Sequence, residues 1–406
     1  MLVFLVSSVA ILGVVLAELA ARLAIGRFGR YFVWLPRRRL QLELHPDVHP
    51  ALSSPVRFEI NSDGERGSEP PRGRGVYRVL VAGSSSVECN LLDQDQSWPA
   101  VLQRRLQQPD RLRALGARRV HVGNIAKSFV DASVLYRILL RLLPQYRRLD
   151  LIVIMVGGLE ASRWFVSPEA PDPEPGQPED WYFDKTPTQE FGWGFKRLAL
   201  RELAARVGRV WFPQIERQQN IGAWLVRARI MRARALELRE DVPDPSPMLD
   251  AFERDLRLGI ELAARFADRV LVLRPMWYRR LTLTAEEEER FWHGGAGWVQ
   301  SAEVSTFYSH ESWYRLMSLI DERTVRAAAA LRVQHVDPLA RIEPNFQHLY
   351  DHAHLTPAGA ARLAEVVEEA ICGGATAATD VEPFIVSGQF PTGPANIGAA
   401  SQERAS

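Results

Sequence analysis

The sequence holds 406 residues, enough for one large domain or two smaller ones. Its 50 basic and 49 acidic residues nearly cancel, so no nucleic-acid partner is expected, and 47% apolar with 24% charged residues excludes a disordered chain. Two cysteines, Cys89 and Cys372, permit one disulfide but form neither a disulfide framework nor a CxxC metal-ligand pair, and no metal is expected.

The first element is apolar. Leu2 to Ala17 carries no charge, and apolar character continues past Glu18 to Ile25. About 20 such residues span the roughly 30 Å hydrocarbon layer, so residues 1–26 read as a transmembrane signal anchor. A cleaved signal peptide is the rival, with Val15-Leu16-Ala17 as its cleavage site, but no basic region precedes the apolar run. A buried soluble helix fits poorly, because apolar residues cover every face. Arg22, Arg27, Arg30 and Arg37-Arg38-Arg39 follow the span, which by the positive-inside rule favours a cytoplasmic domain. A basic leader upstream would reverse that inference, and the expectation adopted is a single-pass protein whose domain is extracytoplasmic.

Residues 27–57, rich in Pro and Arg around Tyr31 to Arg57, read as a juxtamembrane linker. Tyr77 to Ala82 is a short β-branched run that ends in Gly83 and three serines, the pattern of a buried strand followed by a turn. Ser97-Trp98-Pro99 opens a helix through Gln107, with Ser97 as its cap. Val120 to Val122 is a second strand, Ser133 to Leu143 a helix, and Leu151 to Val156 a third strand ending at Gly157-Gly158. The Pro-, Glu- and Asp-rich stretch from 165 to about 190 reads as an inserted loop, with helical patterns at roughly 195–240 and 247–267. Together these make an inserted region of about 165–267. Val270 to Leu273 and Val333 to Val336 complete five strands. The last helix is capped by Thr356, has Pro357 at its first position, and stops at Gly373-Gly374. Residues 374–406, rich in Ala, Gly, Pro and Ser, are expected to be disordered. Short apolar strands alternating with helices predict a three-layer α/β/α domain over 58–373 around a mostly parallel five-stranded sheet. In such sheets sites form at the carboxyl ends of strands, which singles out Gly83–Ser86, Asn124–Phe129 and Gly157–Glu160.

Three segments carry candidate chemistry. In Gly83-Ser84-Ser85-Ser86-Val87-Glu88, a serine at a strand-to-helix turn exposes its hydroxyl near backbone N–H groups. A serine needs a base to take its proton, and His354 with Asp351 three residues earlier supplies one with an orienting partner. Alone, Gly-Ser-Ser-Ser is also a turn or a phosphate-binding loop, and Asp351-His352-Ala353-His354 is also a polar cap or a surface metal pair. The Gly-x-Ser-x-Gly elbow of α/β-hydrolases is absent.

Jointly, these segments resemble the SGNH (GDSL-like) hydrolases. Val79-Leu80-Val81-Ala82-Gly83-Ser84-Ser85 is similar to that family's first block, with Ser84 in place of its usual Asp, and Tyr350 to Ala360 is similar to its Asp-x-x-His block before the last helix. Asn61-Ser62-Asp63-Gly64-Glu65-Arg66-Gly67 and Ser97-Trp98-Pro99 resemble segments of the subfamily that has an N-terminal membrane helix. Covering about residues 55 to 373, the resemblance implies a flavodoxin-like fold and ester hydrolysis or acyl transfer without a cofactor. Ser85, Asp351 and His354 would be catalytic, and the substrate an acylated small molecule or polysaccharide of the envelope. It also implies an oxyanion hole from the backbone N–H groups of Ser85 and Phe129. Two positions depart from the pattern. Phe129 stands where the family has Gly, which crowds the acyl pocket, and Leu159 stands where an Asn side chain donates to the oxyanion. Losing one such donor costs ~10²–10³ in rate. A non-catalytic domain that binds glycan or scaffolds an assembly is therefore the alternative.

Other segments point to packing. Trp292-His293-Gly294-Gly295 reads as a packed Trp beside a surface His, or as a substrate-facing loop. Trp164, Trp181, Trp193 and Trp277 read as core residues or as sugar-stacking platforms. Arg227–Arg239 reads as a solvated helix face, with membrane headgroups as a lesser alternative.

Overall fold

The computed structural model describes residues 2–27, 30–169, 182–186, 193–195, 198–212 and 214–373. The expected tail, Trp181 and most of the loop at 165–190 lie outside these residues. The chain opens with helix α1 (Leu2–Arg27), whose Val6–Ile25 segment is long and apolar enough to cross a membrane.

Next come strands β1 (Arg39–Leu44) and β2 (Val56–Glu59), an antiparallel pair. Residues 27–57 were expected to be a linker, but Val33, Trp34, Leu40, Leu42 and Val56 are buried in the main core. The alternation of Leu40 and Leu42 with polar neighbours places one face of β1 inward, a two-residue period hidden among arginines.

The central sheet holds five parallel strands, β3 (Val76–Gly83), β4 (Arg119–Asn124), β5 (Leu149–Met155), β8 (Ala267–Leu273) and β10 (Gln334–Val336), in spatial order β10-β8-β5-β3-β4. All five lie where the apolar runs predict. A parallel sheet covered on both faces needs unbroken apolar strands, and Leu151 to Ile154 are wholly buried. Helices α3 (Trp98–Leu106) and α12 (Pro357–Cys372) pack together, as do α5 (Ala132–Leu142), α9 (Ser246–Phe266) and α11 (His310–Ala330), giving the expected three layers. Thr356 caps α12 as predicted, its side chain accepting the Gly359 N–H at 3.1 Å. Ser97 precedes α3 but turns its hydroxyl to the Gln94 carbonyl instead.

In chain order the central strands follow the flavodoxin-like order 2-1-3-4-5. The order reverses between β3 and β5, and ligands bind at the carboxyl ends beside such a switch point.

The expected helical stretch 195–240 is instead four elements, α7 (Ala199–Trp211), β6 (Ile215–Ile221), α8 (Ala223–Ala233) and β7 (Glu237–Arg239). Pairing decides the matter for β6, which lies parallel to β1 and extends the β1–β2 pair to three strands. At the turn into α8, Gly222 has φ +84°, and a side chain there would collide with Val48. The short strand β9 (Thr306–Tyr308) pairs with β7. Although it falls inside the expected insertion, α9 is one of the layer helices. Cys89 and Cys372 are both free thiols.

Candidate active site

The β3 strand ends at Gly83, where a side chain would collide with the Met155 carbonyl of β5 and with Val87. The close approach leaves the next residues to turn out of the sheet into the single-turn helix α2 (Ser85–Glu88). Ser85 is its first residue, so its N–H and that of Ser86 have no intrahelical acceptor.

Arg66, from the Asn61–Gly67 motif, is buried and donates to the Glu88, Cys89 and Leu92 carbonyls. Without it the Glu88 and Leu92 carbonyls would be orphaned, whereas the Cys89 carbonyl also accepts the Leu92 N–H at 2.9 Å. Asn61 shapes the turn of the motif that carries Arg66, its side-chain oxygen accepting the Asp63 and Glu65 N–H groups. Asn124, at the end of β4, donates to the Val87 carbonyl at 2.8 Å. Glu88 closes the cluster by accepting from the Ser128 N–H and hydroxyl, and burial pushes its carboxyl up. These contacts tie the 124–129 loop to the serine turn.

The chain's last block comes to this spot. His354 Nε2 lies 2.8 Å from Ser85 Oγ, and His354 Nδ1 lies 2.8 Å and 2.9 Å from the two Asp351 oxygens. The spacing of Asp351 and His354 is set by a turn rather than by helix. Asp351 Oδ1 accepts the N–H groups of Ala353 and His354 at 2.9 and 2.8 Å, while Oδ2 accepts the Trp292 Nε1–H at 2.9 Å. Asp351 is 0% exposed. Burial pushes its carboxyl up, but the His354 charge and hydrogen bond, His352 and the Ala353 N–H outweigh it and hold it far below the usual carboxylate range. For His354, burial disfavours the imidazolium, yet the charge and hydrogen bond of Asp351, with Glu88 beyond, hold its pKa above the ordinary value. An ionised Asp351 can only accept, so the Nδ1 proton faces it and Nε2 faces the serine hydroxyl.

A cavity of about 140 Å³ opens over Ser85 and His354. Phe129 and Leu159 both line it. Phe129 has φ +64°, a left-handed conformation, and its ring is 44% exposed against the edge of Trp298. Leu159 lies in α6 (Gly158–Val166) and brings no donor. Its neighbour Glu160 turns away from the cavity to accept the Ala132 N–H at 2.8 Å at the start of α5. Burial and the nearby Asp131 charge push the Glu160 carboxyl up to about 8.

The aromatic wall of the cavity comes from other tryptophans than those weighed as sugar-stacking platforms. Trp224, Trp292, Trp298 and Trp313 line the cavity. Trp164 and Trp277 are buried elsewhere, donating to the Pro243 carbonyl and to Asp321, and Trp193 is exposed beside Arg22. His293, expected at the surface, is buried against His310 and His352. The Arg227–Arg239 stretch is solvated only in part: Arg227, Arg234 and Arg239 are exposed, but two of its arginines turn inward. Arg229 donates to the Val48, Arg290 and Tyr350 carbonyls, and Arg232 to those of His293 and Tyr308. Both guanidiniums brace the walls of the cavity and of the Asp351 turn. Only the Trp292 segment carried a sequence signal for this wall, its run of Gly residues marking a loop.

A scan against protein-family models found no match, and a search of curated proteins found none. Among solved structures the chain is similar to Axe2, an acetylxylan esterase from Geobacillus stearothermophilus, at 12% identity and TM-score 0.38, over 73% of this chain and 94% of that one. It is similar at 12% identity to LAE5, an α/β hydrolase enzyme from the metagenome of Lake Arreo, Spain, with TM-score 0.38 over 73% of this chain and 95% of that one. A lipolytic protein of the G-D-S-L family from Desulfitobacterium hafniense also matches, with 12% identity and TM-score 0.36 over 72% of this chain and 98% of that one.

Proposed function

We propose that the chain is a membrane-anchored serine esterase or O-acyltransferase that acts on an acylated carbohydrate or other envelope substrate. The single observation that carries the reading is the 2.8 Å approach of His354 Nε2 to Ser85 Oγ, with Asp351 on the far ring nitrogen. In the proposed reaction His354 takes the hydroxyl proton as Ser85 Oγ bonds to the ester carbonyl carbon. Charge gathers on the carbonyl oxygen, where the Ser85 and Phe129 N–H groups serve as donors. As the tetrahedral species collapses, the C–O bond to the leaving alcohol breaks and His354 returns the proton to that oxygen. Water, or an acceptor hydroxyl, then repeats the sequence on the acyl-serine. Asp351 stabilises the imidazolium at each passage. The anchor reading rests on the Val6–Ile25 segment.

The test is hydrolysis of short p-nitrophenyl esters by the full chain beside Ser85→Ala. Loss of turnover in the variant supports the reading; equal rates in both remove it.

Leu159 and Phe129 favour a second reading, a non-catalytic domain that binds glycan or scaffolds an assembly. It expects no labelling of Ser85 by a fluorophosphonate probe. A labelled Ser85 peptide in the mass spectrum would eliminate it.

A further inference from the structure

Helix α7 has an amphipathic sequence and very little cover. At about 100° per residue, Ala199, Leu200, Leu203, Val207, Val210 and Trp211 fall on one stripe. The stripe begins under protein, with Ala199 buried against Ala21 and Ile25 of α1 and Leu200 packed beside them. It then continues in the open, with Leu203 38%, Val207 49%, Val210 52% and Trp211 72% exposed. Phe212 and Ile215 prolong the exposed apolar surface. Arg201 and Arg209 project from the other side of the wheel.

The junction with α1 fixes the height of this surface. Glu18, a carboxylate inside the apolar run, accepts the Ala199 and Leu200 N–H groups at 2.8 and 2.9 Å and the Arg22 Nε–H at 2.7 Å. It thereby satisfies the first turn of α7 and is itself neutralised. Glu18 lies seven residues before Ile25, about 10 Å along a helix. Near the same level, Arg22 lies 4.6 Å from the Trp193 ring centroid and Arg201 lies 5.7 Å from that of Phe195. Such aromatic and Arg groups favour the headgroup layer of a bilayer.

Resting on the reading of α1 as a membrane span, we infer that α7 lies in the headgroup–acyl boundary of that bilayer, its Leu203–Val207–Val210–Trp211 stripe buried in lipid. The occupant of this face is the bilayer because the stripe is continuous with the lipid-facing anchor, with Arg201 and Arg209 on the opposite side of the wheel and Arg206 at the edge of the stripe.

The full chain, on a Cys372→Ser background, is reconstituted in phosphatidylcholine–phosphatidylglycerol vesicles with a nitroxide at Leu203→Cys, Val207→Cys, Val210→Cys or Arg201→Cys. Thermal melts check that each labelled chain is folded. The expected result is that collisions with oxygen exceed those with a water-soluble nickel chelate at 203, 207 and 210, with the reverse at 201. Nickel access at all four sites in chains that resist alkaline carbonate overturns the inference and leaves the anchor standing. Spin–spin broadening between copies at 207 puts a second copy on the face and overturns it equally. Release of the full chain by carbonate removes the anchor, and this inference with it.

Discussion

Trp292 ends with its indole nitrogen on a carboxylate that no solvent reaches. Hydrogen bonds to charged groups contribute ~1.5–3 kcal/mol, and a buried acceptor left short of one donor is costly. Trp292→Phe keeps a ring in the cavity wall and removes only the N–H. In the proposed mechanism it lowers kcat for p-nitrophenyl esters by about ten- to a hundredfold, and steady-state kinetics checks this. The pH profile supplies a second test. The base must be neutral to take the Ser85 proton, and Asp351 outweighs burial to hold His354 above 6.5. The kcat/KM therefore rises with pH through a midpoint above 6.5. In Asp351→Asn the raising charge is gone and burial remains, so that midpoint moves down while kcat falls by about 10⁴. An unmoved midpoint in the variant would mean that another group controls the limb.

At the scale of elements, the serine turn depends on a segment some twenty residues away in sequence. Arg66 satisfies three carbonyls at and beyond the end of α2 from within the core. Arg66→Met leaves the Glu88 and Leu92 carbonyls buried without donors, at about 1–3 kcal/mol each before relaxation, while the Cys89 carbonyl keeps the Leu92 N–H. The expected outcome is a fall in stability of a few kcal/mol in urea denaturation, with a drop in kcat as Ser85 shifts. The Asn61–Gly67 motif was legible in the sequence, but its task was not, because a resemblance gives spacing and not contacts. Strands of the central sheet were legible because burial on both faces forces continuous apolar runs. By contrast, β1 and β6 were missed because β6, Ile215–Ile221, has only its two ends apolar and six of its seven residues exposed. Ser85, Asp351 and His354 were named through the joint resemblance of their two blocks, because the turn and cap signals beside them alone left a phosphate loop or a metal pair open. The tryptophans of the cavity come from α8, α11 and the loops around residues 292 and 298, which only the fold brings together.

Across the whole molecule, histidine protonation works largely against folding. Burial pushes His352 down to about 3 and His49 down to about 4, and also lowers His293, His310 and His335. Each lowered group binds its proton in the unfolded chain at pH values where the native chain refuses it. Stability is therefore lost as pH falls from about 6.5 toward 3. His354 has the opposite sign, contributing fully below 6.5 and losing that contribution as pH rises through its raised value. On acidification from 6.5 the five lowered histidines cost stability, while His354 and the Glu88, Glu160 and Asp321 carboxyls, which burial raises, act the other way. The histidine share of the change in melting temperature is therefore read by a histidine variant. His352→Phe, which preserves ring packing against Trp292 and Trp313, makes that change more favourable than in the unaltered chain, in melts recorded across that range.

The docking of residues 33–59 onto the core has a consequence for reach. A loose tether of about thirty residues would let a head group wander over roughly 30 Å. Here β1 is locked between β2 and β6, and β6 leads from the α7 end of the chain to Ile221 and Gly222 on the rim of the cavity. On the proposed reading of α1 as an anchor and of the cavity as an esterase site, the mouth stands at a set height above the membrane and cannot fish for distant acyl groups, so its substrate must be delivered to it.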